Sequence, residues 1–105
     1  MIIATSEKIE DKKIIKTIGY VKGSSARARN AAADVFASLK NIIGGEVEEY
    51  SRLLQQTRDQ AVERMKQDAT AKGANAIIAF RLQSSTIAQG ASEVVAYGTG
   101  VVVED

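Results

Sequence analysis

From Val47 to Lys72 the chain runs about 26 residues without a glycine or a proline. This run constrains the fold more than any other feature. Gly44-Gly45 precedes it and Gly73 follows it; glycine takes left-handed backbone angles cheaply and so ends helices. Inside it, Tyr50, Leu53, Leu54, Thr57, Ala61, Met65 and Ala69 recur at three- and four-residue spacing. Arg52, Gln56, Asp59, Gln60, Glu63, Lys66 and Gln67 fill the other sides. The pattern predicts one long helix with a narrow apolar stripe. Such a stripe needs a broad surface to lie on, either a sheet or a neighbouring subunit.

Strands are predicted on both sides. Ile2 to Thr5 reads as a short strand, followed by a polar turn over Ser6 to Asp11. Lys13 to Lys22 carries apolar groups on both parities with lysines near its ends, and Gly23 is expected to break it. Ser24 and Ser25 then read as N-caps, because a serine hydroxyl can accept from the free amides of a first helical turn. The first helix is expected from Ala26 to Ile43, with Ala32, Val35, Phe36, Leu39, Ile42 and Ile43 on one face. After the long helix, Asn75 to Leu82 reads as a strand. Gln83 to Ser92 reads as a polar hairpin loop, and Glu93 to Val103 as the last strand. One face of that strand carries Gly98 and Gly100, and a helix packing against them is the expected use of the space. The predicted order is β-β-α-α-β-β in an α+β fold, one domain over residues 1–105. Two helices cover one face of such a sheet. The other face needs cover, which predicts a homo-oligomer.

Composition narrows the function. Net charge is +1, too small for a general nucleic-acid binder held by phosphate contacts. No window approaches 18 apolar residues, so no membrane-spanning helix is expected, and Met1 to Thr5 lacks the basic flank of a secretory signal. A cytoplasmic protein is expected. There is no cysteine and no histidine. The chain therefore has neither a thiol nucleophile nor an imidazole base, and a non-enzymatic role is expected. Gly98-Thr99-Gly100 lacks the third glycine and the following helix of a dinucleotide fingerprint.

Two groups of residues invite a ligand. Arg27 and Arg29 stand beside Ser24 and Ser25, where free amides and two guanidinium groups would suit a phosphate or carboxylate. Arg27 and Arg29 could equally pair with Asp34, or with Glu46 or Glu49 of a neighbouring chain. Glu46, Glu48 and Glu49 open the long helix. Three carboxylates so close could hold a hard cation, and they also suit the positive end of the helix dipole. Zinc and copper favour thiolate and imidazole, which this chain does not offer.

Several segments together resemble the YbjQ-like family, small bacterial and archaeal proteins labelled heavy-metal-binding. They begin with Val21-Lys22-Gly23, Arg27, Arg29-Asn30, Asp34 and Phe36-Ala37. They continue with Ile42 through Glu46, Glu49-Tyr50, Leu53, Arg58, Ala61, Arg64-Met65 and Ala69. They close with Gly73 through Ile78, Arg81, Glu93 and Tyr97-Gly98-Thr99. The resemblance covers nearly the whole chain with its spacing intact. It implies a dodecin-subunit-like fold assembled as a ring, most often a pentamer, and it carries the metal label. Two positions depart from the family pattern. Arg81 to Ser85 offers a cation and hydroxyls where some relatives place carboxylates, and Ala79 stands where glycine is frequent. The function expected is a ring-forming, non-enzymatic binder of a small ligand or ion. A structural or protein-interaction module is the alternative, and an enzyme with an inter-subunit site is the third.

Overall fold

The computed structural model describes the backbone of residues 1–27, 45–88 and 91–104, and the side chains of residues 1–26, 51–85 and 93–104. The elements are β1 (Ile2–Ile3), β2 (Lys13–Arg27), α1 (Gly45–Ala71), β3 (Ala76–Ala88) and β4 (Ala91–Glu104). The strands form one mixed sheet in the order β1-β3-β4-β2. β1 pairs parallel with β3, and β4 pairs antiparallel with both β3 and β2. α1 lies across β2 and β4. The result is a small α+β fold with one helix among the described residues.

The long helix is as the sequence predicts, and Thr57, Ala61, Met65 and Ala69 of its stripe, four residues apart, are all buried; Leu54, expected on the same stripe, is exposed instead. They meet Val21, Ala96, Ala74 and Ile77 in the main core, with Ile3, Ile18, Val62, Phe80 and Val94 packed around it. Ala76, Val101 and Val103 are buried on the other face of the sheet. There Ile9 from the turn before β2 packs with Ile14 and Ile78.

Three expectations are corrected. Gly23 does not end β2. The strand continues through Ser24, Ser25, Ala26 and Arg27, paired with Val95, Val94, Glu93 and Ser92 of β4. The helix expected to start at Ala26 therefore does not start there, and its remainder lies outside the described residues. What Gly23 supplies is space. A Cβ at this position would collide with the α1 backbone at Ala61, Arg64 and Met65, so the helix axis can approach β2 only because the side chain is missing. Gly98 and Gly100 are not the glycines under the helix. A Cβ on Gly98 would meet Ile77 and Ile78, and one on Gly100 would meet Val21 and Ala74. Finally, the predicted hairpin loop over Gln83 to Ser92 is mostly ladder: pairing runs out to Ala88 opposite Ala91. Serine and threonine there made the segment look like a turn, yet both are compatible with an exposed strand.

Gly73 and Asn75 act together where the chain leaves α1. Gly73 has φ +94°. Its amide donates to Thr70 (3.1 Å), and the Ala74 amide donates to Ala69 (2.9 Å). This Schellman arrangement satisfies two helix-end carbonyls. The Asn75 amide then donates to Val101, while its side chain both donates to and accepts from the backbone of Val103 (3.0 and 2.7 Å). The carboxamide extends the β3–β4 ladder beyond Ala76, something alanine could not do.

The glycine-to-alanine departure at Ala79 has a structural consequence. Ile78 pairs with Thr99 and Arg81 with Tyr97, so Ala79 and Phe80 form a bulge opposite Gly98. Ala79 sits at φ 54°, the left-handed region, which costs a residue with a Cβ about 1 kcal/mol or more. The bulge is held by the N-terminal segment, because the Ala79 amide donates to Ser6 and the Phe80 amide to Ala4.

Two opposite outcomes are expected from changes at these positions. Gly23→Ala should lower stability by about 3 kcal/mol or more, since rigid helix backbone cannot give way as a side chain would. Ala79→Gly should raise it by up to about 1 kcal/mol by relieving the left-handed angle. Urea denaturation of both variants beside the parent chain measures each change.

Candidate functional site

β2 is an edge strand, and α1 covers part of its open edge with side chains. Arg64, Asp68 and Lys72 are spaced four apart and so lie on one helix face. Tyr20, Lys22 and Ser24 are spaced two apart and so share one set of backbone positions. Arg64 Nη1 donates to the Ser24 carbonyl at 2.6 Å, the Lys22 amide donates to Asp68 Oδ2 at 3.0 Å, and Lys72 Nζ donates to the Tyr20 carbonyl at 3.1 Å. Lys72 also bridges to Asp68 at 3.1 Å. A row of edge groups that would otherwise await another strand is satisfied within the molecule.

Asp68 is the hub of this clasp. Its carboxyl is held below its ordinary value of 3.8, first by the hydrogen bond from the Lys22 amide; partial burial opposes this, and the Lys72 ammonium reinforces it. A carboxylate whose pKa is lower in the folded state stabilises the fold above its unfolded pKa.

Next to the clasp lies a cavity of about 480 Å³ lined by Tyr20, Lys22, Gly23, Ser24, Arg64, Glu93 and Val95. The sheet register explains its layout. Ser24 faces Val95, Lys22 faces Tyr97, and Glu93 lies two residues beyond Val95 on β4. Ser24 and Val95 therefore form the middle of the floor, with Tyr20 and Lys22 toward one end and Glu93 toward the other. Arg64 enters from the helix, over the strand edge. Its contact with the Ser24 carbonyl uses one of five donors, leaving others for a ligand.

The residues singled out from sequence are distributed differently from what was expected. Ser24 and Ser25 are ladder residues rather than helix caps, because the period-two pattern of β2 runs straight through them. Ser25 is 1% exposed and donates to Gln60 Oε1 at 2.6 Å, so its hydroxyl is committed to α1. Ser24 does reach the cavity. Arg27 is the last residue of β2, and its side chain lies outside the described residues, as does Arg29 altogether. Glu46, Glu48 and Glu49 fall in the first turns of α1, and their side chains also lie outside the described residues. Sequence reading missed Lys22, Arg64 and Glu93 as a group. The available signal was the match between a four-residue row of charges on a helix and a two-residue row on a strand.

Metal ligation was tested against the donor set. The chain has no histidine and no cysteine. No cluster of three acidic side chains able to hold an ion exists among the described residues. Met65 is wholly buried in the core, so its thioether is not available either. These residues do not fit a soft heavy metal. No helix among the described residues is long and apolar enough to cross a membrane.

A family model of the YbjQ group, described as “Putative heavy-metal-binding”, matches residues 1–104. The chain belongs to this family. It is 53% identical over 105 residues to a UPF0145 protein of Clostridioides difficile, covering 100% of this chain and 94% of the relative. It is 50% identical over 104 residues to a UPF0145 protein of Dehalococcoides mccartyi, covering 99% and 100%. The fold is similar to that of a crystallised DUF74-family protein of unknown function from Pediococcus pentosaceus, with TM-score 0.64, 18% identity, and coverage of 99% of this chain and 98% of that one. That likeness supports the small α+β fold with a mixed sheet.

The clasp has a pH signature. Stability supplied by Asp68 should be complete above pH 3.8 and be lost as pH falls from there through the lower folded-state value. Asp68→Asn should be less stable than the parent at pH 7 and should lose less on acidification below pH 4. Urea midpoints at pH 7 and pH 3 check this.

Proposed function

We propose that this chain is a non-enzymatic, self-assembling protein that binds a small anionic ligand in the cavity beside β2. The observation that supports this best is the placing of Lys22 and Arg64 on one cavity, with the guanidinium already oriented by the Ser24 carbonyl. A preset guanidinium loses little freedom when it meets a carboxylate or phosphate. Soft-metal binding is not part of the proposal, because the family's label has no matching donors in this chain.

Self-assembly belongs to the same reading. One face of the sheet carries Tyr20, Lys22, Val95, Tyr97 and Thr99, and among the described residues no element is laid over it. Tyr20 is 58% exposed. A second copy of the chain would cover such a face, and the family resemblance suggests a ring, with five subunits the expected number and the cytoplasm the expected setting. The second reading, a protein-interaction module, draws on this same face.

Two measurements test the proposal. Isothermal titration with inorganic phosphate and with 3-methylbutanoate should give saturable heat for at least one anion, weakened at least tenfold in Lys22→Met; zinc or copper should give none. Flat titrations with both anions would overturn the reading of the ligand as a simple anion. Multi-angle light scattering should return a multimer, and a monomer at micromolar concentration would overturn the assembly reading.

A further inference from the structure

The cavity has two poles, and this narrows its ligand. Lys22 lies toward one end, and Arg64 reaches the middle of the floor, where it meets the Ser24 carbonyl. Glu93 lines the same cavity two residues beyond Val95. Opposite charges this near each other would ordinarily neutralise by pairing. Yet Lys22, Arg64 and Glu93 take part in no ion pair among the described residues.

The backbone explains why they stay apart. Lys22 faces Tyr97, and Glu93 lies four residues before Tyr97 on β4. At about 3.3 Å per residue this is roughly 13 Å along the sheet, too far for a lysine and a glutamate to close without both chains fully extended. Arg64 is closer, but its guanidinium is tied to the Ser24 carbonyl at 2.6 Å. Between the poles lie the Ser24 hydroxyl and the Val95 side chain, one polar and one apolar. The cavity thus offers a cation at one end, a second over its mixed floor and a carboxylate at the other end.

Resting on the reading of this cavity as a ligand site, we infer that its ligand is a zwitterion of α-amino-acid size. Its carboxylate is received by Arg64 and Lys22, its ammonium by Glu93, and a small apolar side chain rests on Val95. A simple anion would satisfy the cations and leave Glu93 facing unpaired negative charge, which lowers its affinity. A simple amine would do the reverse. Only a ligand carrying both charges satisfies both ends, and this is where selectivity arises, because a charged site left unmatched rejects the analogue that lacks the group.

Isothermal titration with L-valine, 3-methylbutanoate and isobutylamine tests this, since the last two are valine without its ammonium and without its carboxylate. L-valine is expected to bind at least tenfold tighter than either. In Glu93→Gln, whose melting temperature confirms the fold, the advantage of valine over 3-methylbutanoate should disappear while carboxylate binding persists or strengthens. Equal binding of valine and 3-methylbutanoate to the parent chain overturns the zwitterion and leaves the anion reading standing. Phosphate binding without any binding of valine has the same meaning. If phosphate and all three organic ligands give flat titrations, both readings fall.

Discussion

The structure depends on a close approach of helix to strand. At Gly23 the backbone of α1 comes so near β2 that a methyl group would strike Ala61, Arg64 and Met65. Everything nearby follows from that distance. Ala61 is small enough to lie in the seam, Met65 fills the space beside it, and Arg64, Asp68 and Lys72 are brought within reach of the strand edge. A larger residue at position 23 would lift the helix and withdraw all three side chains together. The seam and the clasp are one device: apolar contact below, hydrogen bonds along the rim.

The clasp also bears on assembly. An open strand edge invites pairing with any passing strand, and α1 closes the edge of β2 over Tyr20 to Ser24. In the proposed assembly a neighbouring subunit would meet the uncovered sheet face rather than this edge. Gly23 faces α1, so the side chains of Lys22 and Ser24 lie on the sheet face away from the helix. The proposed binding site and the architecture share Arg64, whose guanidinium satisfies the Ser24 carbonyl while the residue lines the cavity.

Much of the fold was legible in the sequence. The buried row from Thr57 to Ala69 follows directly from helical spacing, and Gly73 marks the helix end because no other residue takes φ +94° so easily. Period-two alternation in β4 puts Val101 and Val103 on one face, where both are buried. Gly23-Ser24-Ser25 was read wrongly, since glycine followed by serines is also the local signature of a strand end and a helix cap. Local sequence cannot separate a glycine that stops a strand from one that admits a helix. That distinction depends on where α1 lies, a contact about 40 residues away in the chain. The site was hidden for the same reason: Lys22, Arg64 and Glu93 belong to three elements and meet only through the register of β2 with β4. The metal label, in contrast, could be weighed from sequence alone, because ligand chemistry depends on residue types that are either present or missing.

The claim that α1 locks the edge of β2 can be tested by amide hydrogen exchange. The Lys22 amide points away from the sheet toward Asp68, so without the clasp it would be an open edge amide. It is expected to exchange as slowly as the Met65 amide in the middle of α1, and Asp68→Ala is expected to accelerate Lys22 while leaving Met65 slow. Exchange of Lys22 in the parent chain at the rate of a free, solvated amide would contradict that claim.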